Sequence, residues 1–205
     1  MLFRFIPTLA LASLIFTLTP VFQSTLNAQA DPVEVVRVRF DTNVGRDNWK
    51  LVNIELRTNL NPLENARDRN FIDNITLDLY LSYQLADESF DFYRSQVRIV
   101  SLRRGDRRNV IFAIPGQIVE RDRLRNEPFA YLVQIDIDGN TVPLRDTHVS
   151  PNIRGNAEAA ERIVSEAGSQ ANRNDGVLQP HYLIPEGVIR VDPNTTPPYL
   201  RTENR

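Results

Sequence analysis

Between Asn74 and Gln84 the chain alternates Ile75, Leu77, Leu79 and Leu81 with Thr76, Asp78, Tyr80 and Ser82, a strict period of two. Successive side chains of a strand point to opposite faces, so this segment has one apolar and one polar face and reads as a half-buried strand. An apolar sheet face needs a second apolar layer to cover it. The neighbouring segments alternate in the same way, so that layer is expected to be another sheet. The expected fold is mainly β, an antiparallel β-sandwich of about seven strands followed by a short C-terminal helix and an extended proline-rich tail.

Along the chain, Val33 to Phe40 reads as a first strand and Asp41 to Asp47 as the turn after it. Trp49 to Thr58 is a second strand with Val52, Ile54, Leu56 and Thr58 facing inward, and Trp49 is expected to cap the core at one end. Asn59 to Asn70 reads as a surface loop. Ser95–Leu102 and Asn109–Ile114 read as a hairpin with Arg103–Arg108 as its turn, and Gln117–Leu124 as a short helical turn. Phe129–Asp138, with Tyr131, Val133, Ile135 and Ile137 on one face, leads through Asp138-Gly139-Asn140 into a last strand over Thr141–Leu144. The sandwich is thus assigned to residues 31–150.

Residues 151–205 differ in character. Asn156 is placed to cap a helix with Ala157, Ala160, Ile163, Val164 and Ala167 on one face and Gly168 as terminator. Gln170–Gly176 reads as a polar linker, and Pro180, Pro185, Pro193, Pro197 and Pro198 hold the rest extended. Tyr182–Ile184 and Val188–Val191 are apolar enough to dock on a sandwich, the chain's own or a neighbour's.

Residues 1–30 read as a signal peptide: Arg4 supplies a basic start, Phe5–Phe22 an apolar run, and Ala28-Gln29-Ala30 a small-residue cleavage site before Asp31. An apolar run of about 18 residues is also near the lower limit for a retained membrane anchor, although Pro7 and Pro20 favour cleavage. The protein is accordingly expected to be exported, to the periplasm, the outer-membrane surface or the exterior, touching the membrane only through an uncleaved signal segment. The chain contains no cysteine, which excludes disulfides and a lipid-modified N-terminal cysteine, so stability must come from the core. The formal net charge is −2, one unit more negative without Arg4, and points to no nucleic-acid partner.

Little in the chain suggests a reaction. His148 and His181 are the only histidines, there is no cysteine and no Gly-x-Ser-x-Gly turn, so a nucleophile–base pair lacks its parts, and no zinc-ligand spacing is present. Asp136, Asp138 and Asn140 resemble a fragment of a calcium loop, but the closing glutamate is missing and a hairpin turn accounts for them. Asp87, Glu88, Glu120 and Asp122 fall at turns, where solvation accounts for them, and keep a glycosidase only as a minor alternative. No enzyme activity, catalytic residue, cofactor or metal is therefore expected.

Arg104-Gly105-Asp106 matches an adhesion-receptor tripeptide, although Gly-Asp is ordinary turn chemistry. With Arg103, Arg107 and Arg108 it forms a cluster whose guanidinium groups suit carboxylate or sulfate. These four arginines, with Tyr182, Ile184 and Ile189 of the tail, are the candidate interaction surface. A soluble glycan-binding module is the alternative, and it requires exposed aromatics, for which Tyr80, Tyr83, Phe90, Phe92 and Tyr93 are candidates.

Val33–Phe40, Trp49–Pro62, the alternating strand, Phe92–Leu124 with its Arg-Arg-Gly-Asp-Arg-Arg tip and Ile-Pro-Gly, and the Ala-rich helix with its proline-rich tail together resemble a family of exported verrucomicrobial proteins called pilus-like. The resemblance covers essentially the mature chain. It implies an immunoglobulin-like sandwich associated with type IV pilus genes, with protein partners in the cell envelope or pilus assembly, self-association among them, and no catalytic residues. A type IV pilin keeps its apolar helix, whereas the small-residue site here lies after the apolar run. A sandwich released in this way is expected to act as an accessory or surface component, or to join subunits by strand addition.

Overall fold

The computed structural model describes residues 30–200 apart from 46, 65, 125 and 126, so the signal-peptide reading lies outside the described residues except at Ala30. In chain order the main elements are β1 (Val33–Val44), β2 (Trp49–Thr58), β3 (Phe71–Gln84), β4 (Phe90–Arg103), β5 (Arg107–Ile114), α1 (Gly116–Arg121), β6 (Ala130–Ile137), β7 (Asn140–Thr141), α2 (Ala157–Ser169), α3 (Ala171–Asn174), β8 (Gln179–Pro180) and β9 (Tyr199–Leu200). One sheet has the order β1-β2-β5-β8 and the other β7-β6-β3-β4-β9, every pairing being antiparallel. The first seven strands divide as in an immunoglobulin-like sandwich, except that β4 lies beside β3 and not beside β5.

The alternating segment lies at the centre of its sheet, with β4 on one side and β6 on the other. Ile75, Leu77, Leu79 and Leu81 are completely buried and meet Val52, Ile54, Leu56, Val110 and Phe112 of the opposite sheet in one core. Each such aliphatic side chain contributes roughly 1.5–3 kcal/mol relative to an exposed one. At Asn74, which takes φ 51°, β3 changes phase, so Ile72 turns inward although it is three residues from Ile75. Its partner Leu102 on β4 does the same relative to Ile99.

The outer faces are covered unequally. Beyond the β3 sheet, α2 lays Ala160, Ile163 and Ala167 over Phe92, Ala130 and Leu132, so the start of β6 is buried on its outer face as well. The Asn156 side chain accepts from the Ala159 N–H at 3.0 Å, the expected cap. Ala157 is exposed, and the helix runs past Gly168 to Ser169 because that glycine keeps helical backbone there.

Several expectations are corrected. β1 runs to Val44, since a register shift between Asp41 and Val44 lets the strand continue, and the turn is confined to the residues before Trp49. The strand expected over Thr141–Leu144 is two residues long, Asn140–Thr141; Asp138 (φ 50°) and Gly139 (φ 80°) do form the tight hairpin turn before it. Trp49 does not cap the core: it packs with Ala113 and Ile184 in a separate cluster on the outer face of its sheet, because it stands on the face opposite Val52 and Ile54.

The segment Ser95–Ile114 is not a hairpin either. Arg103 pairs with Phe71 in one sheet and Arg107 with Arg57 in the other, so the turn between them carries the chain across the sandwich. Alternation reports which face of a strand is apolar, and a hairpin and a sheet-crossing arch have the same alternation. The arch is stitched down by main-chain bonds. Gly105 donates to Thr58 at 2.8 Å, Thr58 to Asp106 at 3.1 Å, and Arg104 to Asn70 at 2.7 Å.

Candidate interaction surface

The arch leaves β4 and β5 as neighbouring edge strands on one side of the sandwich, and an uncovered strand edge offers a row of unpaired N–H and C=O groups to any other chain. The C-terminal region closes this side. β8 pairs Gln179 and Pro180 with Ala113 and Phe112, and β9 pairs Tyr199 and Leu200 with Ile99 and Arg98. Between them Asn109 donates its N–H to Thr195 at 2.7 Å and Val100 to Pro198 at 2.9 Å.

The start of β4 is sealed differently. The Gln170 amide accepts from Phe92 N–H at 2.9 Å and donates to the Phe90 carbonyl at 3.2 Å, while Asn174 donates to the Phe92 carbonyl at 2.8 Å. A primary amide carries both a donor and an acceptor, so it substitutes for the peptide of a missing strand. Arg173 pairs with the buried Asp91 carboxylate, and Arg94 with Asp175 at 3.0 Å. The expected polar linker is thus a docked helical turn with Asn174 buried. Sequence reasoning missed these residues because polar composition looks the same in a free linker and in a strand mimic.

Tyr182 and Ile184 both serve this closure. The rings of His181, Tyr182 and Tyr199 cluster, with centroids 5.0 Å apart for His181–Tyr199 and 5.3 Å for Tyr182–Tyr199. Burial pushes the His181 imidazole below its ordinary value and the Tyr199 phenol above its own. Ile184 is buried against Trp49 and Ala113, with Val188 and Ile189 packed around them. The tail therefore lies on its own sandwich.

The arginine cluster is divided by the arch. Arg107 pairs with Glu55 at 3.1 Å, and Arg108 with Asp106 at 2.6 Å while also donating to the Asn194 carbonyl of the tail. The acid of the Arg-Gly-Asp tripeptide is therefore already engaged by a neighbouring guanidinium. Arg103 and Arg104 remain exposed, beside Asp68 and Asn70. The four side chains do not converge on one site.

The other singled-out residues are dispersed. Tyr83, Phe92 and Tyr93 are buried, and Tyr80 and Phe90 pack against the α2 cluster, so the five aromatics form no exposed platform. Tyr93 donates to Asp122 at 2.9 Å, and Arg121, hydrogen-bonded to the same carboxylate, holds it below the usual carboxylate range. Glu120 lines an open cleft of about 730 Å³ with Asp47 and Arg123. Asp136 accepts from Thr141 of the same hairpin at 2.5 Å and Asp138 from Asn74 of β3 at 2.8 Å, so both carboxylates of the calcium-like fragment are engaged by protein donors. His148 is wholly buried on the side opposite the tail, near the Asp31–Arg145 ion pair of 2.7 Å, and neither ring nitrogen has a hydrogen-bond partner among the described residues.

With this architecture in view, the chain is similar in fold to a solved structure. It matches a crystal structure of a protein from Akkermansia muciniphila. The TM-score is 0.61, and the match covers 83% of this chain and 94% of that one at 14% identity. At such identity the likeness is one of fold. No family model matches the chain, and no curated protein matches it.

Proposed function

We propose that the protein is a non-enzymatic, exported β-sandwich that takes part in a cell-surface assembly associated with type IV pili. The observation that carries this reading is the fold likeness to the Akkermansia muciniphila protein across nearly the whole of that chain, from a verrucomicrobial source. It agrees with the resemblance of the strand, arch and tail segments to the exported pilus-like family.

Affinity isolation of the full chain from the native cell envelope, with identification of the co-purifying proteins and the intact mass of the captured chain, tests the proposal. Pilus-assembly proteins and a mass beginning at Asp31 are expected. Capture without envelope partners, combined with binding on a glycan array, would replace the assembly reading with that of a glycan-binding module.

A further inference from the structure

We propose that the distal tail, Val188 to Leu200, is exchangeable between copies: the arm of one molecule seats on the β4 and β5 edges of a second, and the chain self-associates by mutual exchange. This deepens the assembly reading by naming a second copy as a partner. The test below uses purified protein alone, so its failure is separate from failure of the envelope experiment.

The tail is held in two parts of unlike strength. The proximal part is tied to the body at many points: Gln170 and Asn174 hold the main chain of β4, and Leu178 is 1% exposed within the main core. The distal arm is held by two β9 pairings, the Thr195 and Pro198 main-chain bonds, and Arg108 on the Asn194 carbonyl. Its apolar anchors are the buried Pro197, Tyr199, which packs against the main core beside His181 and Tyr182, and the pair Val188 and Ile189 near Trp49.

Between the two parts lies Gly187, exposed, with φ 92° and no atom within 4 Å of where a Cβ would stand. Such a residue changes backbone conformation without steric cost, which suits a hinge. Every contact that the arm makes to β4 and β5 is independent of which molecule supplies the arm. Exchange therefore preserves the arm's contacts to β4 and β5, gives up only the Val188–Pro185 main-chain bond and the Glu186–Ile189 bridge that span Gly187, and otherwise costs mainly association entropy. An open monomer would instead leave the β4 edge at Arg98–Val100 unpaired and the seat of Tyr199 empty. The complement to that slot is the arm itself, so a second copy is the partner whose fit is already specified.

Arg98 and Leu200 face each other in register and are both exposed, and the chain has no cysteine of its own. Paired antiparallel Cα atoms lie about 4.5–5.5 Å apart, within disulfide reach. Arg98→Cys in unlabelled protein and Leu200→Cys in isotopically heavy protein are mixed in equal amounts at high concentration and oxidised mildly, after circular dichroism has shown both folded. The expected product is the light–heavy dimer, making up nearly all of the cross-linked dimer against the half that random pairing of equal amounts gives. The double variant, oxidised when dilute, is expected to carry an intrachain bond and to remain monomeric by light scattering until reduced. Light–heavy dimer at no more than the random share, or a locked double variant that associates as the unmodified chain does, would overturn the proposal.

Discussion

The side chain of Gln170 treats the main chain of Phe92 as a neighbouring strand would, accepting its N–H at 2.9 Å, while its other amide atom donates to the Phe90 carbonyl. Asn174, itself buried, completes the pattern at the Phe92 carbonyl. Removing one partner of a buried bond leaves the other unsatisfied, which costs about 1–3 kcal/mol. Asn174→Ala is therefore expected to destabilise the protein by that amount and Gln170→Ala by somewhat less, since its bonds are only partly buried. Urea denaturation measures both, and equal stability to the parent chain would mean that the edge is not sealed by these amides.

His148 makes stability depend on pH. Burial pushes its imidazole below the ordinary value of 6.5, with the Asp31 carboxylate pulling up and the Arg145 guanidinium pushing down. The unfolded chain then takes up a proton near pH 6.5 that the folded chain refuses, so stability is full above that pH and falls as the pH drops below it, with a slope of up to about 1.4 kcal/mol per pH unit. His181, shifted the same way by burial, adds to the slope. His148→Leu should flatten the acid side of the stability profile and be near neutral at pH 8, because two unpaired buried nitrogens disappear with the ring. An unchanged slope in that variant, followed by thermal melts from pH 5 to 8, would assign the acid sensitivity elsewhere.

Two glycines should respond in opposite directions to alanine. At Gly116 a Cβ would stand 1.4 Å from the Asp47 carbonyl oxygen, so Gly116→Ala must displace the β1–β2 turn or the start of α1. A loss of roughly 2–4 kcal/mol is expected, in the range of severe steric substitutions. Gly168 has no atom within 4 Å and lies inside α2, where alanine is the better helix former by about 1 kcal/mol. Differential melting of the two variants against the parent decides this, and a shift of the same sign in both would contradict the packing described.

The facing of β3 is tested by adjacent residues. Leu79 is completely buried, and Leu79→Ala should cost about 2–5 kcal/mol while Leu79→Asp should prevent folding. Asp78 points outward and accepts from Gln96 at 2.9 Å, and burial raises its carboxyl. A carboxylate already disfavoured by burial contributes little net stability, so Asp78→Ala should change the midpoint by less than about 1 kcal/mol. The reverse ranking in thermal melts would place the strand in the wrong register.

Much of the architecture was legible in the residues because it follows from short-range rules. Period-two alternation placed β2 and the centre of β3 with the correct faces, the Asp138-Gly139 dipeptide marked its hairpin, and Asn156 with the spacing of Ala160, Ile163 and Ala167 marked α2. Each of these signals depends on a residue and its near neighbours. The candidate surface was less legible. Arg103 and Arg107 are close in sequence yet belong to different sheets, because alternation does not distinguish a hairpin from an arch.

What the sequence determined alone is therefore the class of the fold, the facing of its longest strands, the absence of any disulfide, and the tendency of the tail to dock. Only the tertiary structure decided where the tail goes, and with it which groups remain available. Trp49 lies beneath Ile184, Asp106 is engaged by Arg108, and the amides of Gln170 and Asn174 replace a strand along β4. The reason is physical. Local propensity and periodicity act through neighbours along the chain, whereas the closing of a strand edge requires partners far apart in sequence to meet, as Phe92 and Gln170 do, and which partners meet is settled by the packing of the two sheets.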